Sequence, residues 1–280
     1  MTSVSCAVIH CEKFRCKMNQ GKETIKEYIK TKYGEVAGQN SQKIENDDDI
    51  QEITPLNIIS SSLNIGYSES DLGNIPMTSN MGLGCGNPIV AANLREGEVV
   101  LDLGSGGGID CFLARRKVKE AGYVIGVEMT PQMIQLAKQN KIKSGYENID
   151  FRLGEIEHLP VEDNSIDVII SNCVVNLSLD KAQVFKEAFR VLKSKGRICI
   201  SDILATVELP LEIKQDLASM AGCVAGAEFE GNIRDMLELA GFSEIRLSPK
   251  DNSRQILRTW DPSSHLEDYV ASYLIEARRD

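Results

Sequence analysis

The stretch VVLDLGSGGG, residues 99–108, constrains the fold more than any other part of the chain. A short apolar run ends in Asp102, four glycines follow within five residues, and IDCFLARRKVKEA then has the pattern of a helix. Glycine carries no Cβ, so the backbone can turn sharply and approach a ligand closely. This order of strand, glycine loop and helix predicts a ligand site at the carboxyl end of a strand in a parallel α/β sheet.

The segments that follow repeat the alternation of short apolar runs with amphipathic helices. Such alternation predicts a mostly parallel sheet with helices on both faces. Strands are predicted at residues 98–104, 123–129, 148–154, 167–172, 197–203, 242–248 and 269–278, and helices at 22–37, 109–121, 130–145 and 180–196. The segment after residue 217 is predicted to be helical to about residue 240. Residues 60–74 are predicted to form a loop or linker because they are polar and rich in Gly and Ser. The chain is therefore divided into an N-terminal extension with a basic helix and an acidic linker (1–76), a ligand-binding core (77–205) and a substrate-side region (206–280).

Charge and apolar content exclude several classes of protein. The formal net charge of −10 argues against a nucleic-acid partner, because phosphates require clustered cations. The basic first 34 residues are interpreted as a solvated helix face. No apolar run is long enough to span a membrane, and the N-terminus lacks the pattern of a signal peptide, so a cytoplasmic protein is expected. The eight cysteines include no CxxC pair, which argues against a structural zinc site.

Acidic residues follow two further predicted strands. Glu128, with Met129 beside it, ends the second strand, where a carboxylate can bind the ribose hydroxyls of an adenosyl cofactor. Glu155 and Ile156 follow the third strand, where the carboxylate can lie beside an adenine amine. The loop itself, with Gly104 and Gly106, does not fit the NAD fingerprint well, because the NAD fingerprint needs a small residue where this chain has isoleucine. A Walker-type phosphate loop is excluded by the absence of a GK[ST] ending.

These motifs resemble the class I S-adenosylmethionine-dependent methyltransferases. The resemblance is carried, in order, by LDLGSGGG, VIGVEM, FRLGEIEHLP and DNSIDVIISN over roughly residues 98–203. It implies a Rossmann-like class I methyltransferase fold with a mostly parallel seven-stranded sheet. It also implies S-adenosylmethionine as the cofactor, with Asp102, the glycines and Glu128 around it. Asn172 is expected to bond the methionine end of that cofactor.

The cysteines fall into two groups by their sequence surroundings. Cys111 and Cys199 lie within apolar helix and strand patterns and are interpreted as packing. Cys85, Cys173 and Cys223 have small or flexible neighbours, in GLGCGNP, ISNCVVN and AGCVAGA. Three thiolates beside a methyl donor suit a soft, thiophilic acceptor atom.

With GLGCGNP and GCVAGA included, the sequence closely resembles the arsenite S-adenosylmethionine methyltransferases over about residues 77–247. This resemblance implies that Cys85, Cys173 and Cys223 bind trivalent arsenic, which receives the methyl group. It also implies a thiol reductant, glutathione or thioredoxin, as co-substrate. Members of that family often carry a further cysteine before GLGCGNP, whereas SSSLNIGYSESDLGN contains none. Cys6, Cys11 and Cys16 are the nearest other thiols and are interpreted as unrelated, and the chain is expected to be a monomer.

Two other functions remain open at this point. The chain could be a small-molecule C- or O-methyltransferase of the quinone or sterol type, with cysteines that only pack. It could also be a metalloid-binding sensor or buffer with a vestigial cofactor site. The first alternative predicts an apolar acceptor cleft and indifference to thiol-blocking reagents, and the second predicts that S-adenosylmethionine does not bind.

Overall fold

The sheet predicted from the sequence is present. The computed structural model describes residues 21–38, 55–260 and 265–280, and within them seven strands form one sheet in the order β3-β2-β1-β4-β5-β7-β6. The first five strands pair in parallel, whereas β7 runs antiparallel to both β5 and β6. The strands are β1 Val99–Leu103, β2 Tyr123–Glu128, β3 Ile149–Leu153, β4 Ile166–Asn172, β5 Leu192–Ala205, β6 Ser243–Pro249 and β7 Val270–Arg278.

The helices of the described residues lie mostly between these strands. They are α1 (21–38), α2 Pro55–Asn64, α3 Glu69–Leu72, α4 Pro88–Ala92, α5 Ile109–Val118, α6 Pro131–Ser144, α7 Lys181–Val191, α8 Leu211–Gln215, α9 Leu217–Ala221, α10 Glu230–Ala240 and α11 Ser253–Trp260. The continuous helix predicted after residue 217 is interrupted, since α9 and α10 are separated by residues 222–229, and the short helix α8 lies before it. No helix of the described residues is long and apolar enough to cross a membrane.

Alternate residues of the central strands face opposite sides of the sheet, as the two-residue period of a strand requires. On β1, Leu101 and Leu103 join the apolar cluster beneath α7 and α10, while Val100 joins the cluster beneath α4, α5 and α6. On β4, Ile169 joins the first of these clusters and Ile170 joins the second. Both faces are therefore covered, and a ligand must bind at the ends of the strands.

The segment before the core is more ordered than the sequence predicts. Residues 60–74 were expected to be a loop, but α2 extends to Asn64 and α3 covers Glu69–Leu72. Ser68 caps α3 by accepting the Asp71 backbone N–H, and the Asp71 carboxylate accepts the Ser68 N–H in return. Tyr67 is 3% exposed and packs in the cluster beneath α5. The prediction of a loop was wrong because burial in tertiary packing outweighs local composition.

Helix α1 confirms the helix predicted at 22–37, but it is not only a solvated face. Ile29 is fully buried, and Ile25 and Tyr33 pack in the same apolar cluster as Cys85. The opposite face of the helix, with Glu27 and Thr31, is exposed. The acidic stretch at 39–54 and Cys6, Cys11 and Cys16 lie outside the described residues.

Candidate active site

A cavity of about 400 Å³ opens at the carboxyl ends of β1, β2 and β4. The glycine loop and Glu128 line one side of it, and Cys173 and Cys223 line the other. This is the edge of a parallel α/β sheet at which ligands bind. The volume lies in the range of small-molecule sites.

The glycine loop adopts backbone conformations that other residues avoid. Gly104, Gly106 and Gly108 have φ values of +69°, +50° and +98°. A Cβ on Gly104 would lie 2.5 Å from the methyl carbons of Val174, closer than real contacts allow. The loop is tied to β2, since the Gly104 N–H donates to the Val127 carbonyl at 2.8 Å.

Two carboxylates lie beside this loop in buried positions. Glu128 accepts the Gly106 N–H at 3.2 Å through one oxygen and the Thr130 N–H at 2.8 Å through the other. Burial raises the pKa of Glu128 above its ordinary value. Burial also raises the pKa of Asp102 well above its ordinary value, with the Asp110 charge adding to the effect. Cys111, interpreted from the sequence as packing, donates its thiol hydrogen to Asp102 at 3.3 Å.

Two hydroxyl groups at this cavity are unsatisfied. Ser105 Oγ and Thr130 Oγ1 are buried and find no hydrogen-bond partner among the described residues, although both residues line the cavity. Buried polar groups are nearly always hydrogen-bonded. The chain therefore offers donors and acceptors to a polar ligand beside the Glu128 carboxylate, which is what an adenosyl cofactor requires.

The residues after β3 are arranged differently from the sequence prediction. Met129 and Ile156 line the cavity as expected, but Glu155 does not. Glu155 instead pairs with α1, at 2.8 Å from Lys26 Nζ and 3.7 Å from Lys30 Nζ.

Asn172 lines the cavity, but all its hydrogen-bonding groups serve the protein. Its Oδ1 accepts the Cys85 N–H at 3.0 Å. Its Nδ2 donates to the Gly86 carbonyl at 2.6 Å and to the Tyr67 hydroxyl at 2.9 Å. The side chain thus fixes the loop that carries Cys85.

The three cysteines singled out from the sequence come together in one apolar cluster. Cys85, Cys173 and Cys223 are 0%, 7% and 3% exposed, and they pack in the same cluster with residues of α1 and β7. Cys85 lies just behind the cavity wall, since its neighbour Gly84 lines the cavity and Cys85 itself does not.

Two of these cysteines have an unusual backbone. Cys173 has a φ of +60° and Cys223 a φ of +64°, a conformation that costs a non-glycine residue about 1–2 kcal/mol. Cys173 is held by its N–H, which donates to the Ser201 carbonyl at 2.8 Å. Cys223 is held by its carbonyl, which accepts from Asn176 Nδ2 at 3.2 Å. Both cysteines line the cavity, and residues with strained backbone cluster at functional sites.

The thiols interact with one another. The Cys223 thiol donates to the Cys173 carbonyl at 2.7 Å. Burial raises the pKa of Cys173 well above its ordinary value, and hydrogen bonds with Cys223 and Cys85 raise it further. Among the described residues, no three His, Cys, Asp or Glu side chains are arranged as a ready-made metal site. The thiols are therefore neighbours, and the Cys223 thiol must give up its hydrogen bond before it can bond a shared atom.

Helix α1 contributes two residues to the cavity that sequence reasoning missed. Lys26 and Tyr33 both line it, and the Tyr33 hydroxyl donates to the Ala221 carbonyl at 3.1 Å, two residues before Cys223. Burial raises the pKa of Tyr33 well above its ordinary value, so it stays neutral. The only sequence feature that pointed to this contact was the helical spacing of Ile25, Ile29 and Tyr33. Such spacing predicts that one face of the helix is buried, but it does not show which part of the protein covers that face.

Comparison with known proteins relates this geometry to one family. The model of a family described as methyltransferase domain matches residues 94–241, just over half of the chain. The chain is 47% identical to an arsenite methyltransferase of Halobacterium salinarum over 220 residues, which is 79% of this chain and 56% of that protein. It is 36% identical to a human arsenite methyltransferase over 173 residues, which is 59% of this chain and 46% of that protein. The chain thus spans about half the length of the curated relatives it matches.

A solved structure shares the fold. CrArsM, an arsenic(III) S-adenosylmethionine methyltransferase from Chlamydomonas reinhardtii, superposes with a TM-score of 0.57 at 31% sequence identity. The match covers 81% of this chain and 74% of that chain. This structural match is longer than residues 94–241, which the family model covers, so the similarity extends beyond that domain.

Proposed function

Because this chain belongs to the family of methyltransferase domains, we propose that it transfers a methyl group from S-adenosylmethionine to trivalent arsenic held by Cys85, Cys173 and Cys223. The observation that carries the proposal is the meeting of these three cysteines, from distant parts of the sequence, beside a cavity that fits an adenosyl cofactor. Packing alone does not require cysteine at two positive-φ positions, where glycine or asparagine is less strained.

The cofactor side of the cavity fits S-adenosylmethionine. Glu128 is positioned to accept ribose hydroxyls through the lone pairs that its two backbone bonds leave free. Ser105 and Thr130 offer hydroxyls that have no partner among the described residues. When bound, S-adenosylmethionine supplies an electrophilic methyl group on a sulfonium. The glycines of the loop carry no Cβ, so the backbone can lie close to the ligand.

The thiol side supplies the nucleophile without a general base. Arsenic bonded to three sulfurs keeps a lone pair, and it has no proton to lose when that pair attacks a carbon atom. This agrees with the positions of His158 and His265, which are exposed and do not line the cavity. The three thiolates orient the lone pair toward the methyl group, and such positioning alone contributes several kcal/mol of rate enhancement.

Arsenic bonding requires a change at Cys223. Its thiol hydrogen is donated to the Cys173 carbonyl, so this hydrogen bond must break and the thiol must lose its proton before the sulfur bonds arsenic. Methylation uses the arsenic lone pair, so two electrons must return arsenic to the trivalent state. A thiol reductant such as glutathione or thioredoxin is the co-substrate that this step requires.

The experiment is a methyl-transfer assay with the full chain. Arsenite, glutathione and S-adenosylmethionine are supplied, and methylarsenicals and S-adenosylhomocysteine are measured. We expect both products from the wild type and neither above background from Cys173→Ser. If the wild type binds S-adenosylmethionine but leaves arsenite unmethylated, the proposal fails, and quinone- and sterol-type acceptors are tested next. If S-adenosylmethionine does not bind, a metalloid sensor becomes the better explanation.

A further inference from the structure

Tyr67, in the segment before the core, joins two residues of the cavity wall. Its hydroxyl donates to Asp110 Oδ1 at 2.8 Å and accepts from Asn172 Nδ2 at 2.9 Å. Asp110 and Asn172 both line the cavity, whereas Tyr67 does not and is 3% exposed. One buried hydroxyl therefore contacts two elements that meet at the cavity.

These two elements belong to different sides of the cavity. Asp110 lies in the first turn of α5, directly after the glycine loop. Asn172 ends β4, accepts the Cys85 N–H and donates to the Gly86 carbonyl. A continuous path of hydrogen bonds thus runs from the start of α5 through Tyr67 and Asn172 to the loop that carries Cys85.

The position of Tyr67 is fixed by its surroundings. Its N–H donates to the Ser62 carbonyl at 3.1 Å, at the end of α2. The carbonyl of the preceding Gly66 accepts from Asn87 Nδ2 at 3.1 Å, two residues after Cys85. The ring packs in the apolar cluster beneath α4, α5 and α6. Because packing and these bonds hold the ring, the hydroxyl stays between Asp110 and Asn172.

We propose that Tyr67 is a positioning residue that holds the Cys85 loop at a fixed distance from the glycine loop, so that the acceptor atom on the thiols lies in line with the methyl group of the cofactor. The inference rests on the proposed function. Methyl transfer is sensitive to this distance, because misplacing the reacting atoms by about 1 Å can lower a rate by about a hundredfold. Tyr67 touches neither reactant and acts through Asp110 and Asn172.

The first test measures how firmly the Cys85 loop is held, without arsenic or cofactor. The Cys85 N–H donates to Asn172 Oδ1, so its hydrogen exchange, followed by NMR, reports local opening of this contact. Tyr67→Phe removes only the hydroxyl. We expect the Cys85 amide to exchange about fivefold faster in this variant, which corresponds to the net contribution of one hydrogen bond.

Tyr146→Phe is the matched control for this measurement. Tyr146 packs against Phe112, with ring centroids 6.5 Å apart, in the same apolar cluster as Tyr67. It does not line the cavity. We expect the exchange rate at Cys85 to remain that of the wild type in Tyr146→Phe.

Asp110→Ala shows whether Tyr67 acts through the carboxylate. This variant removes the acceptor of the hydroxyl and leaves Tyr67 in place. Residues that act through one contact have non-additive effects, so Tyr67→Phe combined with Asp110→Ala should exchange no faster at Cys85 than Tyr67→Phe alone. Effects of the two substitutions that multiply would overturn the proposed path from Asp110 to the Cys85 loop.

Methyl transfer gives the second readout. With arsenite–glutathione and S-adenosylmethionine as substrates, we expect kcat of Tyr67→Phe to fall about tenfold while both KM values stay within about twofold. The stoichiometry of S-adenosylmethionine binding, measured by calorimetry, should be unchanged, which a loss of folded protein would not allow.

Two outcomes would overturn the proposal. One is a wild-type exchange rate at Cys85 in Tyr67→Phe, and the other is a wild-type kcat despite faster exchange. If the wild type leaves arsenite unmethylated, the proposed function fails, and the exchange rate then decides by itself whether Tyr67 holds the Cys85 loop.

Discussion

The two sides of the cavity are built in different ways. The cofactor side is made of successive strand ends, from Asp102 through Glu128 to Ile156, and mostly presents backbone and hydroxyl groups. The thiol side is made of three segments that are far apart in the sequence, each carrying one cysteine on an irregular backbone. The parallel sheet thus positions the residues of the cofactor side. The positions of the three cysteines depend instead on the contacts that hold the loops carrying them.

The largest expected loss of activity follows substitution of the three cysteines of the thiol side, and substitution of the other buried cysteines should have little effect. Cys85→Ser, Cys173→Ser and Cys223→Ser are each expected to lower arsenite methylation by about a hundredfold or more, because misplacing a reacting atom by about 1 Å has effects of that size. Each variant should keep its affinity for S-adenosylmethionine, measured by calorimetry.

Cys199→Ser is the matched control, since Cys199 is also buried but lies within β5 and donates to the Pro88 carbonyl. We expect this variant to keep most of its methylation rate. A Cys199→Ser variant as inactive as Cys173→Ser would mean that the losses report packing, and the comparison between the two groups would no longer hold.

The cofactor side is tested by Gly104→Ala. The new Cβ would lie 2.5 Å from Val174 at a φ of +69°, so the loop must shift, and we expect the affinity for S-adenosylmethionine to fall by more than about tenfold. Gly145→Ala is the control, because its φ is +70° but nothing lies within 4 Å of the new Cβ. Both variants should lose stability through backbone strain, and only the first should lose cofactor affinity. Equal affinities would show that the glycine loop does not contact the cofactor.

Buried acids on the two sides predict a pH dependence of stability. Burial raises the pKa of Asp202, which supports the Cys223 loop through Asn176, to about 6 from 3.8. The folded state therefore binds more protons than the unfolded state between these values, and stability falls as pH rises through that window. We expect the decrease from this residue to be about 1–3 kcal/mol.

Asp202→Asn should flatten this decrease, measured as the free energy of unfolding in urea between about pH 4 and 6. Burial also raises the pKa of Asp110, on the cofactor side, to about 6. The contribution of Asp110 to the decrease of stability with pH should remain in this variant. An unchanged slope in Asp202→Asn would show that the carboxyl of Asp202 is not held neutral by burial.

The smallest expected effect concerns α1, which covers both sides. Lys26→Met removes the contacts with Glu155 at 2.8 Å and Glu157 at 3.7 Å, and we expect the KM for S-adenosylmethionine to rise about two- to fivefold. Stability should change by less than about 1 kcal/mol, because the pair is partly exposed. Lys32→Met on the same helix removes an exposed ion pair with Glu35 at 3.1 Å and serves as the control. A KM that responds equally to both variants would indicate a general charge effect rather than closure by α1.

The difference between the two sides also explains what the sequence could predict. All seven strands were predicted, because each is a compact apolar run bounded by glycine or polar residues. Glu128, Met129 and Ile156 were placed correctly at the cavity because strand ends share one edge of the sheet. Glu155 was predicted beside the adenine, but the partner that turns it away, Lys26, lies more than a hundred positions earlier.

Sequence surroundings set the three cysteines of the thiol side apart from the others, but only resemblance to a family assigned them to one arsenic site, since no local pattern joins their segments. Asn172 illustrates the limit. An asparagine at a strand end can bind a ligand or hold a loop, and the contacts of Asn172 with Cys85 and Gly86, far earlier in the sequence, could not be predicted from its neighbours.

The most direct test of the account is X-ray absorption at the arsenic edge on the full chain loaded with one equivalent of arsenite. The account predicts that arsenic is bonded to three sulfur atoms in the wild type and that Cys223→Ser replaces one of them with oxygen or an added thiol. Arsenic bonded to oxygen, or to the same number of sulfur atoms in wild type and variant without added thiol, would contradict the claim that Cys85, Cys173 and Cys223 bind it together.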